Sequence, residues 1–357
     1  MRTRLALALT LALLTTVPAE AARDIVVRDS PRFAVATCLR PTGTPGLVGM
    51  LGPLERRMSP YDLLRVSADG VTVAATVRLG ILDECPAVAA GPGGHAIVAG
   101  AVRARRFRGV IRAALAEPGG GFGAPIDIAR TRSGLTRAAA AVSPRGDAVV
   151  AWAVTRHAAG REITDSRTRV IAALRPAGGT FGPRQFLTPW RRSSFAPTPT
   201  VSVGMEASGR ATVAWAQPIP DVGNIPGLST IAVTTAAPGE PFGPARVITP
   251  RVQDSARVTL TVAPDGRALL AHDGQGTVQV FERAAGGSEF APVVRLRRRR
   301  GFAEWQDPDV ALAPDGSALV AWRGGEETGR EDVLVVSRRG TGPWTAPVAV
   351  QRSREDG

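Results

Sequence analysis

A ten-residue segment that occurs five times constrains this chain more than any other feature of its sequence. The last copy is Ala313-Pro-Asp-Gly-Ser-Ala-Leu-Val-Ala-Trp322, and the others begin at Gly91, Ser143, Glu206 and Ala263. Each copy has glycine at its fourth position, followed by small and apolar residues. Glycine adopts the left-handed conformation that closes a three-residue hairpin with a bulge. The segment therefore predicts a β-hairpin whose second strand is buried on both faces.

A second pair of strands is predicted after each hairpin, joined by a turn rich in proline and glycine that ends in Phe-Gly or an equivalent. The predicted third strands are 110–115, 170–174, 231–235, 278–281 and 333–336. The predicted outer strands are 125–128, 184–187, 246–248, 293–296 and 348–350. The hairpin glycines are 52, 63, 57 and 50 residues apart, in chain order. Four strands repeating at this spacing are typical of a β-propeller blade.

The chain before the first regular unit is less periodic but is long enough for one more blade. Within residues 24–80 we predict strands at 33–38, 46–51, 62–66 and 71–77. We therefore expect an all-β propeller of four-stranded blades, with six blades and with five or seven as alternatives. Residues 22–357 would form this single domain, with 24–80 as an irregular first blade and 81–352 as five regular ones.

The repeated pattern Pro-x-Gly-x-Ala-x-Val-Ala-Trp resembles that of exported bacterial β-propeller repeat proteins, broadly the TolB-like and sialidase-like propellers. The resemblance covers residues 86–350 and implies the propeller architecture. The Ser-x-Asp-x-Gly-x-x-Trp box of sialidases is absent, and Tyr61 is the only tyrosine. A sialidase-like tyrosine nucleophile therefore has no good candidate in this sequence.

The first residues predict export. A basic start, Met1-Arg-Thr-Arg4, precedes an apolar run over residues 5–17 and the small-x-small sequence Ala19-Glu-Ala21. This order is typical of a signal peptide over residues 1–21, cleaved near Ala21, and we expect a secreted product without a membrane span. In such a protein Cys38 and Cys85 could form a disulfide, and two separate thiols are the alternative.

The chain is strongly basic, with a formal net charge of +13, and all 44 basic residues are arginine. Such exclusive use of arginine, together with abundant alanine, glycine and proline, is typical of GC-rich bacterial genomes. The positive charge nevertheless favours anionic partners. Export, and the lack of any nucleic-acid-reading module, argue against nucleic acid as the target.

The predicted binding surface lies on the loops that vary most in length between units, because variable loops on a rigid scaffold usually carry function. In a propeller these loops join the second strand to the third, and one blade to the next. The candidate ligand-binding residues in or beside them are Arg130, Arg132, Arg191, Arg192, Arg251, Arg297, Arg298, Arg299, Arg300, Glu304 and Asp307. Arginine pairs with carboxylate, sulfate and phosphate through two parallel hydrogen bonds. An anion-binding face is one interpretation, and a solvated rim made basic by codon usage is the other.

No catalytic, cofactor-binding or metal-binding motif is present in the sequence, so no catalytic residue, cofactor or metal is expected. Trp152, Trp215 and Trp322 share one strand position with His272, which favours a packing role for this histidine over a catalytic one. We expect a non-catalytic propeller that binds a ligand or protein partner, such as an anionic polysaccharide, at the cell envelope. The alternative is a propeller glycosidase or polysaccharide lyase that uses carboxylates at the channel mouth.

Overall fold

A computed structural model describes the chain between residues 38 and 352 with gaps. The described ranges are 38–41, 47–51, 61–67, 70–80, 86–104, 108–131, 134–157, 166–193, 199–219, 228–252, 257–274, 276–297, 308–325 and 331–352. Within these ranges the regular structure is entirely β, and no helix there could cross a membrane. Two compact units are present: Met1–Trp152 with Ala172–Arg184, and Ala153–Ile171 with Gln185–Gly357.

The described residues form six antiparallel sheets, in which strands that follow one another in sequence are neighbours in space. The first sheet consists of β1 (Cys38–Pro41), β2 (Leu47–Leu51), β3 (Tyr61–Ser67) and β4 (Gly70–Val77). The second consists of β5 (Ala87–Ala90), β6 (Ala96–Ala104), β7 (Arg108–Ala116) and β8 (Ile126–Thr131). The third consists of β9 (Gly134–Val142), β10 (Ala148–His157), β11 (Ser166–Arg175) and β12 (Gln185–Phe186), with β13 (Arg191–Ser193) also paired to β11. Strands β10 and β11 contribute residues to both units.

The last three sheets belong to the second unit. The fourth sheet consists of β14 (Thr200–Met205), β15 (Ala211–Pro218), β16 (Ser229–Ala236) and β17 (Arg246–Val252). The fifth consists of β18 (Val258–Val262), β19 (Ala268–Gly274), β20 (Thr277–Arg283) and β21 (Ala291–Arg297). The sixth consists of β22 (Asp309–Leu312), β23 (Ala318–Gly325), β24 (Glu331–Arg338) and β25 (Val348–Arg352).

The predicted all-β architecture of four-stranded units is confirmed, and the first strand extends beyond its predicted end. The first strand was expected at 33–38, but β1 is Cys38–Pro41, where Cys38 pairs with Leu51 of β2. Residues 33–37 lie outside the described residues. The number of blades in one ring stays a prediction.

The hairpin turns have the predicted three-residue geometry. In the third sheet the Ser143 amide donates to the Asp147 carbonyl at 2.8 Å, and the Gly146 amide donates to the Ser143 carbonyl at 3.0 Å. Gly146 has a φ of 92°, and its four counterparts have φ between 85° and 90°. Asp147 is buried, and its carboxylate accepts hydrogen bonds from the Ser143 hydroxyl and the Ala177 amide. The Asp147 carboxylate therefore stabilises the turn through hydrogen bonds within the fold.

The core is built from the second strands, whose two faces are both buried. On β19, Ala268 and Leu270 pack into a cluster with the fourth sheet. Leu269 and Ala271, which alternate with them, pack into a cluster with the sixth sheet that contains Trp322. The repeated tryptophan is thus a packing residue, as its recurrence predicted, because successive side chains of a strand point to opposite faces.

The outer strands of the sheets share features that discourage pairing with other chains. A proline lies within two residues of the start of each outer strand from the second sheet onward, at Pro125, Pro183, Pro244, Pro292 and Pro347. The ladder between the third and the outer strand also shifts register in the first, second, fourth, fifth and sixth sheets. Proline and bulges at an exposed edge reduce its capacity to recruit another strand.

Arginines at the ends of third strands join consecutive sheets in pairs that we call inter-sheet clamps. Arg283, the last residue of β20, is fully buried and donates to the Gly266 carbonyl of its own sheet at 3.1 Å. It also donates to Glu206 of the preceding sheet at 2.9 Å, and its guanidinium lies 5.6 Å from the Phe290 ring centroid. The arrangement recurs as Arg338 with Gly316 and Glu282, and as Arg175 with Gly146 and Glu117. These arginines are structural, and the sequence pattern did not single them out.

Candidate functional site

The third sheet departs from the others in its outer strand. That strand is split into β12 and β13, of two and three residues, whereas the outer strands of the other five sheets are continuous over five to eight residues. Across the split, the Leu187 amide donates to the Val170 carbonyl at 3.0 Å, and the Val170 amide donates to the Thr188 hydroxyl at 3.0 Å. A side chain thus replaces a main-chain partner at Thr188, and the chain pairs with β11 again from Arg191 onward.

The split is supported by a buried contact with the fourth sheet. The Gln217 side chain of β15 donates to the Thr188 hydroxyl at 3.2 Å, and both side chains are buried. If the strand shifted, the buried Gln217 amide would lose this hydrogen bond without gaining one to water, which costs more free energy than at an exposed site. The interruption is therefore a defined conformation of the outer strand, of the kind often found beside functional sites.

An arginine–aromatic cluster, consisting of Arg156, Arg169, Phe186 and Trp190, lies at this split, and all four residues belong to the second unit. The guanidinium carbon of Arg156 lies 4.5 Å from the centroid of the Trp190 ring. That of Arg169 lies 4.8 Å from the same centroid and 4.4 Å from that of Phe186. Phe186 is 54% exposed, Arg156 is exposed, and Arg169 and Trp190 are half-buried.

The stacking arrangement suits these arginines to hold an anion. The rings cover guanidinium faces, while the N–H donors lie in the guanidinium plane. Stacking also restricts the side-chain rotamers, so less conformational entropy remains to be lost when an oxyanion binds. Arg191, exposed at the start of β13, adds a third positive charge next to Trp190 in sequence. Arginine side chains pair with carboxylate, sulfate and phosphate groups through the edge of the guanidinium.

The candidate residues predicted from the loops lie in several different sheets. Arg130 is exposed on β8 and pairs with Asp127 at 3.0 Å, and Arg251 is exposed on β17. Arg192 is on β13, Arg297 on β21 and Cys38 on β1, but their side chains are not among those described. Outside the described residues lie Arg132, Arg298, Arg299, Arg300, Glu304, Asp307 and Cys85. Of the predicted set, Arg191 is the one that adjoins the arginine–aromatic cluster in sequence.

The described aspartates with shifted pKa values are all held as carboxylates. A hydrogen bond from Arg112 holds the pKa of Asp127 below its usual value, against the opposing effect of burial. An amide donor from Ser317 lowers the pKa of Asp315. Burial alone would raise the pKa values of Asp147 and Asp265, but amide and arginine donors lower them overall. A glycosidase acid needs a raised pKa, which none of these four aspartates has.

His272 occupies the tryptophan position of the second strand and is fully buried. Its Nε2 lies 3.1 Å from the Thr249 hydroxyl, its Nδ1 lies 3.1 Å from the Asp273 carbonyl, and its ring stacks on Phe281. Burial lowers the pKa of His272 and favours the neutral ring. The adjacent Asp273 carboxylate accepts a hydrogen bond from the Arg257 amide at 2.5 Å. The pair is therefore packed into the fold, in agreement with the structural role expected for this histidine.

Arg156, Arg169, Phe186 and Trp190 were not among the candidate residues predicted from the sequence. The signal for the cluster was a tryptophan outside the repeated position: Trp190 has no counterpart in the other copies and stands beside Arg191. Within the described residues, groups of histidine, cysteine, aspartate or glutamate that could hold a metal ion are not found.

The four-stranded sheets, the repeated hairpins and the packing between consecutive sheets define the class of this protein as a β-propeller. The fold is similar to that of an ulvan lyase of polysaccharide lyase family PL25 bound to a saccharide of GlcA and Rha3S. The identity is 11%, the TM-score is 0.50, and the match covers 84% of this chain and 77% of the lyase. A second structure of a PL25 ulvan lyase matches over the same shares, at 12% identity and a TM-score of 0.50.

A Hadza microbial sialidase matches at 12% identity over 86% of this chain and 69% of the sialidase, with a TM-score of 0.48. At these identities the likeness concerns the fold alone. No protein-family model matches the sequence, and no curated protein matches it.

Proposed function

We propose that this protein is a non-catalytic binding module that is exported and holds an anionic polymer at the cell envelope. The observation that carries the proposal is the pair of arginines, Arg156 and Arg169, stacked on Trp190 at the interrupted outer strand of the third sheet. The signal-peptide pattern of residues 1–21 and the net charge of +13 support it. The carboxylates of Asp127, Asp147 and Asp315 serve ion pairs and turns.

The loop arginines predicted from the sequence are assigned a supporting role in this proposal. They would attract the polymer over a distance of about one Debye length, roughly 10 Å at 0.1 M salt. The residues concerned are Arg130, Arg132, Arg191, Arg192, Arg251, Arg297, Arg298, Arg299 and Arg300. Direct contacts would be made by Arg156 and Arg169.

The test is the binding of an anionic polysaccharide, polygalacturonate, to the mature chain at low and high salt. Affinity should be measurable near 0.1 M salt and nearly absent near 1 M, where the Debye length falls to about 3 Å. The double variant Arg156→Gln/Arg169→Gln should lose most of the low-salt affinity.

The matched control is Arg246→Gln/Arg339→Gln, which removes the same charge from exposed positions elsewhere in the second unit. It should weaken binding only slightly. Equal loss in both double variants would show a diffuse cationic coat without a site. Release of new chain ends from the polysaccharide during incubation would contradict the non-catalytic part of the proposal and favour a lyase or glycosidase.

A further inference from the structure

We infer, resting on the proposed function, that the arginine–aromatic cluster is a subsite for an anionic saccharide. In this subsite one sugar ring packs on Phe186 while a carboxylate or sulfate of the same or a neighbouring sugar pairs with Arg169 and Arg156. The ligand class is therefore a polymer of charged sugars, and charge alone is not sufficient for full affinity.

The first support is the exposure of Phe186 on the outer strand. Exposed apolar residues on the other outer strands are aliphatic, namely Ile126, Val247, Val293, Val348 and Val350. Phe186 alone among these exposed side chains is aromatic, and 54% of it is open to solvent although Arg169 lies over its ring. A flat ring left open beside fixed positive charge suits a ligand with an apolar C–H face, which a pyranose has.

The second support is the short distance between the stacking surface and the charge. The guanidinium carbon of Arg169 is 4.4 Å from the Phe186 centroid, and Arg156 and Arg169 lie within 4.8 Å of the Trp190 centroid. In a uronate or a sulfated sugar, the anionic group is attached directly to the ring system. Ring and charge of such a ligand therefore reach the cluster together.

The third support is the local rigidity of the split strand. The Thr188 hydroxyl accepts from Gln217 of the next sheet and from the Val170 amide, which fixes the chain between Phe186 and Trp190. A preorganised site loses less entropy on binding than a mobile one.

Single-stranded nucleic acid combines rings and anions too, but its binding surfaces present a succession of aromatic platforms along a basic groove. Among the exposed large hydrophobic side chains described here, Phe186 is the only aromatic. A single platform favours a saccharide.

The experiment compares four probes on the mature chain near 0.1 M salt: polygalacturonate, its fully methyl-esterified form, polyphosphate and an oligothymidylate. The ester keeps the sugar ring and removes the charge, whereas polyphosphate keeps charge and lacks any ring. Polygalacturonate should bind about tenfold tighter than the ester and about tenfold tighter than polyphosphate, the size expected for loss of one contact. Tighter binding of oligothymidylate than of polygalacturonate would overturn the inference.

The variants separate the ring from the charge. Phe186→Leu should lower polygalacturonate affinity about tenfold and polyphosphate affinity by a smaller factor, because leucine also removes the ring on which Arg169 stacks, whereas Phe186→Tyr should retain both. Val247→Ala, at an exposed site of another outer strand, is the matched control and should change neither. If Phe186→Leu lowers both affinities equally, or neither, the saccharide subsite is wrong.

The outcomes also separate this inference from the proposed function. Equal affinity for polygalacturonate and polyphosphate, with both dependent on Arg156 and Arg169, would leave the anion-binding function standing and reject the saccharide subsite. Failure of every anionic probe to bind would reject both.

Discussion

Gly93 shows how one atom can decide the residue type at a turn. A Cβ on Gly93 would lie 2.1 Å from the Pro144 carbonyl oxygen, closer than any such contact allows. The other four copies carry larger residues at this turn position: Arg145, Ser208, Asp265 and Asp315. A repeat consensus would therefore recommend replacing Gly93, whereas the structure opposes it.

We predict that Gly93→Ala lowers the free energy of unfolding by about 1–3 kcal/mol, because a backbone neighbour must move. Chemical denaturation measures this change. Gly121→Ala is the control, since a Cβ there meets nothing within 4 Å. Equal stabilities of the two variants would show that Pro144 yields without cost.

His272 gives stability a dependence on pH in a defined window. Its pKa in the folded protein lies below the usual 6.5 because burial disfavours the charged ring. The unfolded chain takes up this proton first, so the contribution of His272 is complete above pH 6.5 and is lost as pH falls below it. The aspartates with lowered pKa values act at more acidic pH, below 3.8.

We predict that the melting temperature falls as the pH is lowered from about 7.5 to about 5. The melting temperature of the His272→Phe variant should fall less over the same interval. The phenylalanine keeps an aromatic ring against Phe281 and removes the titrating group. Thermal unfolding followed by circular dichroism at several pH values measures both proteins. Parallel pH profiles would assign the acid sensitivity to other groups.

Residue roles were predictable where they depend on local geometry. The left-handed φ of Gly146, Gly266 and their counterparts follows from the turn sequence alone. The roles of the arginines were not predictable in the same way. Arg283 and Arg156 are the same residue type, and the sequence does not distinguish their roles. Only their three-dimensional neighbours make Arg283 a buried clamp and Arg156 an exposed cation.

At the scale of secondary-structure elements, the inter-sheet clamps connect one sheet to the next through buried charge. The Arg283–Glu206 pair spans 77 residues of sequence, and Arg283 has no exposed surface. We predict that Arg283→Met lowers the free energy of unfolding by about 3–5 kcal/mol, because it leaves Glu206 without this partner in a largely buried place.

The control for this prediction is Arg246→Met. Arg246 also joins two consecutive sheets, through Glu289 at 2.9 Å, but both side chains are at least half exposed. Its loss should cost about 1 kcal/mol or less. Equilibrium urea unfolding of the two variants compares them, and similar costs would show that burial does not govern these pairs.

The elements themselves were largely predictable, because each strand is bounded by a turn with its own chemistry. The exception is the outer strand of the third sheet. Its split depends on the Thr188 hydroxyl and on Gln217 from the next sheet, a contact across 29 residues that local propensity does not contain. The candidate site could not be predicted fully for this reason, since Trp190 follows that split.

At the scale of the whole molecule, the prediction concerns residues 24–80. We predict that they fold together with residues 81–352 in one cooperative domain, because β1 to β4 form a four-stranded sheet like the others. Limited proteolysis of the mature protein, followed by mass spectrometry of the resistant core, tests this. A stable core that begins near residue 81 would favour five blades over six.

Two of the clamps give the fifth sheet a direction along the chain. Glu282 and Arg283 are successive residues of β20, so their side chains leave opposite faces of the sheet. Arg283 binds the sheet before it through Glu206, and Glu282 binds the sheet after it through Arg338. A tandem gene duplication of this sheet would therefore copy both an arginine donor and a glutamate acceptor. The duplicated sheet would then find an ion-pair partner in each neighbouring sheet without a compensating mutation there.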